Sequence, residues 1–235
     1  MDIRDRSMLN FFETEKFRKL WKNFTVFVFT AIAVGLYFCI CSPYKTSLDL
    51  INQNKYEKAI KITTFWSKII PADSRWYSLR GYAKFYSGDF NGAIADYDKA
   101  YKLRNDEFKS MNFDNKIYIK YFLKDYKSAL ADFDKEIKNT QNEERDSMLW
   151  DKAQFLFNIE KYNDALSIYN DLIKKSTTDQ IYLMESRLYY ERALVHQKLG
   201  MIKEANEDLK NAKNLDLDIE YQNTIPKPVF LLEKI

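Results

Sequence analysis

Glycine and proline are scarce in this chain, five and four among 235 residues, so few positions break a helix or force a turn. Cysteine is scarcer still. Cys39 and Cys41 both stand at the end of one apolar run, which excludes a disulfide framework and leaves the redox compartment unread. The single histidine, His196, has no cluster of carboxylates or thiolates around it in sequence, so no metal site is expected. Neither sign of charge prevails: 37 basic and 34 acidic side chains are mixed along the chain, for a net charge of +3. No basic stripe lies beyond the N-terminal stretch, which argues against a nucleic-acid partner. There is no phosphate-binding glycine loop, nucleophile elbow, HExxH pair or CxxC, so neither a cofactor nor catalysis is expected. Carboxylates such as Asp96 with Asp98 and Asp132 with Asp134 stand beside Lys99 and Lys135 and read as solvated ion pairs on helix surfaces.

Tyr and Phe, by contrast, are abundant at seventeen each, alongside many Lys, Glu, Leu and Ala. With so few breakers, this composition is that of a nearly all-helical protein. One segment departs from the mixed pattern. No charged side chain lies between Lys22 and Lys45, and Phe24–Cys41 reads FTVFVFTAIAVGLYFCIC. At a rise of about 1.5 Å per residue, roughly 20 residues cross a ~30 Å hydrocarbon core, so the run just reaches. The alternatives are a buried core helix, a cleaved signal peptide and a lipidated cysteine. Pro43 directly after Ser42, and the long lead before the run, argue against cleavage; Phe38 and Ile40, bulky before the two cysteines, argue against lipidation. The expectation is an uncleaved transmembrane anchor at 24–42 that tethers the protein to the membrane. Lys16, Arg18, Lys19 and Lys22 precede it closely and Lys45 alone follows within ten residues. The positive-inside rule then puts residues 1–23 in the cytoplasm and the rest outside an inner (cytoplasmic) membrane, in a periplasmic or extracytoplasmic space.

The remainder of the chain repeats itself. Tyr56 precedes Ala59 by three residues, as Phe90 precedes Ala93, Tyr126 precedes Ala129, Tyr162 precedes Ala165 and Ile202 precedes Ala205. Four residues after each alanine come Thr63, Tyr97, Phe133, Tyr169 and Leu209. Gly88 and Gly200 mark turns; Ser47, Gly81, Ala153 and Ala193 supply small residues upstream, and Pro71 closes the first unit. Two antiparallel helices pack closely only where small side chains meet, and aromatics one turn away fill the gap to the next pair. The phrase Arg80-Gly81-Tyr82-Ala83, then Gly88-Asp89-Phe90, Ala93, Tyr97 and Ala100, resembles the tetratricopeptide repeat (TPR), a helix-turn-helix unit of about 34 residues. Ile117 in the third unit and Glu136 and Leu172 at the late alanine position depart from the motif. The fold class implied is all-α, a TPR-like α-solenoid of about five repeats beginning near residues 40, 74, 110, 146 and 186, preceded by a single transmembrane helix. The repeat domain is expected at 43–215 and a capping tail at 216–235.

In the family this chain resembles, the first helix of each pair lines a concave face. Projected onto this sequence, that face holds Ser78, Tyr82, Phe85 and Tyr86, then Asp114, Tyr118, Tyr121 and Phe122, then Trp150, Gln154, Phe157 and Asn158, and finally Tyr190, Leu194, Gln197 and Lys198. The expected binding groove consists of Tyr82, Phe85, Tyr86, Tyr118, Tyr121, Phe122, Trp150, Phe157 and Tyr190, where rings and hydroxyls engage a peptide. Inter-repeat packing is the alternative role for any one ring. The Lys and Asn pair with which related repeats clamp acidic chaperone tails is missing at Ser78 with Tyr82, Asp114 with Tyr118, and Trp150 with Gln154. The tail from Ile225, IPKPVFLLEKI, is apolar and interrupted by Pro226 and Pro228; it either caps the last helix or enters the groove. The expected function is a membrane-tethered scaffold for other proteins in envelope assembly, secretion or quality control. A self-assembling homo-oligomer, a noncatalytic subunit of a membrane enzyme and a cytosol-facing recruitment factor are the rival expectations.

Overall fold

A computed structural model describes residues 15–103, 108–179 and 182–215 of the chain, all helical apart from short turns. The chain divides into two compact units, Met1–Leu103 and Arg104–Ile235. The first holds α1 (Glu15–Asn52), α2 (Tyr56–Ile69), α3 (Ser74–Tyr86) and α4 (Phe90–Leu103). The second holds α5 (Phe108–Phe122), α6 (Tyr126–Asn139), α7 (Asn142–Asn158), α8 (Tyr162–Asp179), α9 (Tyr182–Lys198) and α10 (Ile202–Leu215). These form five helix pairs, with starts at residues 74, 108, 142 and 182 for the last four, close to the expected 74, 110, 146 and 186. The tail 216–235 and the first fourteen residues lie outside the described residues.

The pairs share one construction. Ala59, Ala93, Ala129, Ala165 and Ala205 are buried to 1% exposure or less, so the second helix of each pair meets the first at its smallest side chain. In the second pair the contact is closer still: a Cβ on Gly81 would stand 3.1 Å from the Tyr97 ring. Five residues before each alanine the backbone turns left-handed, at Asn54 (φ 58°), Gly88 (88°), Lys124 (59°), Glu160 (64°) and Gly200 (76°). The next residue's N–H then reaches back to the first helix, from Lys55 to the Leu50 carbonyl at 2.8 Å, Asp89 to Lys84 at 2.9 Å, Asp125 to Lys120 at 2.8 Å, Lys161 to Leu156 at 2.9 Å and Met201 to His196 at 2.9 Å. Each bond satisfies a carbonyl that the ending helix leaves open.

The transmembrane expectation fails. Among the described residues no helix is long and apolar enough to cross a membrane, so the single-pass inner-membrane localisation drawn from Phe24–Cys41 is withdrawn. Nor does the run end where its composition changes at Ser42. α1 continues through Pro43 to Asn52, and its last turns pack as the first helix of the first pair. There Tyr44, Ser47 and Ile51 are buried, and the Tyr44 ring meets Trp76 of α3 edge-on at 5.5 Å.

A second correction concerns charge. Asp96 is not solvated: its side chain is 6% exposed, clamped by Arg80 at 2.5 Å and Lys84 at 2.8 Å from the partner helix. Arg80, at the position where the repeat motif has leucine, also donates to Ser67 Oγ at 2.8 Å on α2. The same clamp recurs wherever the sequence repeats it, sixteen and twelve residues upstream of the carboxylate. Lys116 at 3.2 Å and Lys120 hold Asp132, and Arg192 at 2.6 Å and His196 at 3.0 Å hold Asp208. Burial penalises these charges, and two cations each on Asp96 and Asp132 offset that penalty.

Candidate functional site in the first helices

Within the first unit, the expected groove residues form a ring cluster at the turn end of α3. Tyr82 and Tyr86 lie 4.8 Å apart, Tyr56 of α2 stacks on Tyr86 at 5.5 Å, and Phe85, buried, packs on Phe90 at 5.6 Å. Burial, with the neighbouring Tyr86 hydroxyl, pushes the Tyr82 phenol well above its ordinary range. Only Tyr86 presents much surface, at 47% exposure.

The second unit sorts its expected residues into two classes. Tyr190 is buried, Tyr121 meets Tyr126 and Phe155 at 5.9 Å each, and Phe157 meets Tyr162 edge-on at 5.4 Å. Those rings fill space between helices. Tyr118 and Trp150 are half-buried on α5 and α7, and Phe122 is 55% exposed at the end of α5.

Around Trp150 the structure assembles a polar network built on Glu191 of α9, which is 1% exposed. Trp150 Nε1 donates to Glu191 Oε2 at 2.5 Å, Gln154 Nε2 to Oε1 at 3.0 Å, and the Tyr169 hydroxyl to Oε2 at 2.9 Å. Arg187 donates from Nε to Oε1 at 3.1 Å, and its guanidinium lies 5.6 Å over the Trp150 ring. A carboxylate buried this deeply with four donors is satisfied, and it fixes α7 against α9 and α8. Burial and the Glu191 charge together push the Tyr169 phenol far up.

Next to this network stand two carboxylates of a different kind. Asp151, beside Trp150 on α7, and Asp114 on α5 are half-buried, and no hydrogen bond or ion pair reaches either among the described residues. Burial, with the Asp151 charge, pushes the Asp114 carboxyl up to about 7; burial, with the Glu191 charge, pushes Asp151 up to about 6. The charges thus step across three successive first helices, α5, α7 and α9, with Glu191 acting on Asp151 and Asp151 on Asp114.

Sequence reasoning placed Asp114 and Trp150 on this face and missed Asp151, Glu191, Arg187 and Tyr169. One signal was available. In the first helices of the last four pairs, the position two residues before Gly81, Ile117, Ala153 and Ala193 holds Leu79, Asn115, Asp151 and Glu191 in turn. Leu79 and Asn115 there are 2% and 1% exposed, so an acid at this buried position requires either partners or a purpose. Elsewhere in the unit, an open cleft of about 620 Å³ is lined by Thr140, Gln141, Arg145, Asp146, Leu149 and Lys175, with Lys175 already paired to Asp146.

No protein-family model matches the chain, and no curated protein does. Solved structures do. Nearly identical TPR-like repeats from Podosopora anserina superpose with a TM-score of 0.53 at 10% identity, covering 75% of this chain and 93% of that one. BtubC (BKLC) from P. vanneervenii superposes with a TM-score of 0.52 at 13% identity, covering 80% of this chain and 85% of that one. At such low identity the likeness speaks to architecture alone. The repeat domain has a TPR-like α-solenoid fold.

Proposed function

We propose that this protein binds other proteins, taking a segment of a partner against the first-helix face of its second unit, and that binding rather than catalysis is its role. The observation that carries this reading is the contrast between Asp114 and Asp151 and the clamped carboxylates. Asp96 and Asp132 are each met by two cations and Asp208 by Arg192 and His196, whereas these two are left half-buried and unpaired beside the Tyr118 and Trp150 rings. An isolated carboxylate in such surroundings costs stability, and uncompensated costs of this kind concentrate at functional sites. Aromatic surface next to desolvated charge offers a partner both apolar area and a charge-assisted hydrogen bond.

The experiment is photo-crosslinking in cells of the source organism from a probe replacing Tyr118 in the full chain, with a probe at exposed Lys127 of α6 as control. The expected result is a discrete adduct to another protein from position 118, absent from 127 and lost when Trp150→Ala is added. Adducts only between copies of this chain would replace the reading with self-assembly. Equal labelling from both positions would refute a site on this face.

A further inference from the structure

The three ion clamps share one register and differ in the side chains that fill it. Asp96 is met by Arg80 and Lys84, and Asp132 by Lys116 and Lys120, side-chain types that ordinarily stay charged across the physiological range. In the last pair, the position of Lys84 and Lys120 is taken by His196, the only histidine in the chain. We propose that the α9–α10 pair is a pH-responsive closure: protonation of His196 completes on Asp208 the two-cation clamp that the earlier pairs hold with lysine, and its loss loosens α10.

Geometry supports this from two sides. His196 Nδ1 lies 3.0 Å from Asp208 Oδ2, and the two side chains are 9% and 3% exposed, so water screens the pair little. The Nδ1 nevertheless has no aligned hydrogen bond. The contact therefore acts mainly through charge, and it has that charge only when the imidazole is protonated. In addition, His196 sits in the last turn of α9, where the helix dipole favours a cation. Histidine is the side chain whose ordinary titration falls between pH 5 and 8.

The surrounding charges do not replace it. Asp208 faces it from α10, and Arg192, on its own helix, already spans Asp208 with Nε at 2.9 Å and a terminal nitrogen at 2.6 Å. From α8 the polar contributor to this cluster is the neutral Asn170, which accepts from Arg192 at 2.8 Å. Lys198 at the end of α9 is exposed; of the two buried acids of that helix, Glu191 is taken up by Trp150, Gln154, Tyr169 and Arg187, and Glu185 stands near Tyr189, whose phenol burial and the Glu185 charge push up. With a neutral His196, then, Asp208 keeps one cation where Asp96 and Asp132 keep two. This inference is independent of the binding site proposed above.

The test is amide hydrogen exchange on the full chain at pH 5.5 and 7.5, corrected for the intrinsic pH dependence of exchange. Wild-type α10 is expected to be about tenfold more protected at pH 5.5 than at pH 7.5, a gain of the size a favourable helix-end imidazolium supplies. Beyond any change common to all three proteins, His196→Lys is expected to keep α10 at the protected level at pH 7.5, and His196→Gln to lack the gain at pH 5.5. Asp114 and Asp151 titrate in the same window but are common to all three proteins, so the differences between variants belong to position 196. Protection of α10 that is unchanged or lower at pH 5.5 in the wild type would overturn the proposal. So would a pH dependence in His196→Gln as large as that of the wild type.

Discussion

Two helix pairs, one in each unit, solve the same packing problem with opposite chemistry. In α3–α4 the position three residues past the alanine is Asp96, buried and held by Arg80 and Lys84. In α7–α8 that position is Ile168, and the upstream residues are Lys152 and Leu156, so the clamp is replaced by apolar contact within a core containing Leu156, Tyr169 and Leu172. Lys152 turns away instead, to Asp134 on α6. The polar groups of α7 are thereby released for neighbouring pairs, Trp150 and Gln154 both going to Glu191 of α9. One pair uses its charges to hold its own two helices together. The other uses them to hold the array together, and it is there that the unpaired Asp151 stands.

The largest expected effect comes from breaking the clamp on one side only. Asp96→Ala strands Arg80 and Lys84 in partly buried surroundings and should destabilise the first unit by about 3–5 kcal/mol. Transplanting the apolar solution whole, as Arg80→Lys with Lys84→Leu and Asp96→Ile, should cost no more than about 1–2 kcal/mol, since hydrophobic replacement of a complete buried ion cluster is often neutral. Urea unfolding midpoints of the two variants decide the matter. If the triple variant is as unstable as the single one, the two pairs are not equivalent solutions.

That pairing also shows what the sequence could and could not disclose. The repeat register was legible because an alanine at the helix crossing tolerates no substitute of ordinary size, and all five are buried. The clamp was not, because its partners lie sixteen and twelve residues upstream on another helix, whereas Lys99 and Lys135 are close in sequence and suggested a local pair. Phe24–Cys41 read as a separate element because hydropathy changes at Ser42, yet backbone hydrogen bonding does not stop there and α1 runs on to Asn52. On the first-helix face, a search for rings found Trp150 and overlooked Asp151 and Glu191 beside it, since charge on a helix is ordinarily solvated and only burial makes it exceptional.

A moderate effect sharpens the contrast between clamped and unclamped acids. Asp114 has a folded-state carboxyl raised to about 7, against about 3.9 for an unfolded aspartate. Between those values the unfolded chain has released a proton that the folded chain retains, so stability falls as pH rises from about 4 to 7 and levels off above. Asp114→Asn removes the charge while keeping the shape. It should stabilise the second unit by about 1–2 kcal/mol at pH 8, discounted for partial exposure, and by nothing measurable at pH 4. Thermal unfolding at the two pH values checks this. A loss of stability at pH 8 would mean that Asp114 has a partner within the fold.

The smallest effect separates the pairs by their turns. The five left-handed turn residues do the same work, but only Gly88 and Gly200 do it without a Cβ. At Lys124 and Glu160 the side chain opposes this backbone conformation by about 1–2 kcal/mol, while glycine adds back about 0.5–1 kcal/mol of unfolded-state entropy. Lys124→Gly and Glu160→Gly should therefore each stabilise the second unit by about 0.5 kcal/mol, and Gly200→Ala should cost about 1 kcal/mol. Asn54 is the instructive exception. Asparagine tolerates the left-handed region, and its Oδ1 accepts from the Tyr56 hydroxyl at 2.5 Å, so Asn54→Gly loses a contact while relieving little strain. Denaturation of the four variants side by side should thus give gains at 124 and 160, no gain at 54 and a loss at 200. A gain at 54 equal to the other two would show that the asparagine is under the same strain as the lysine and the glutamate.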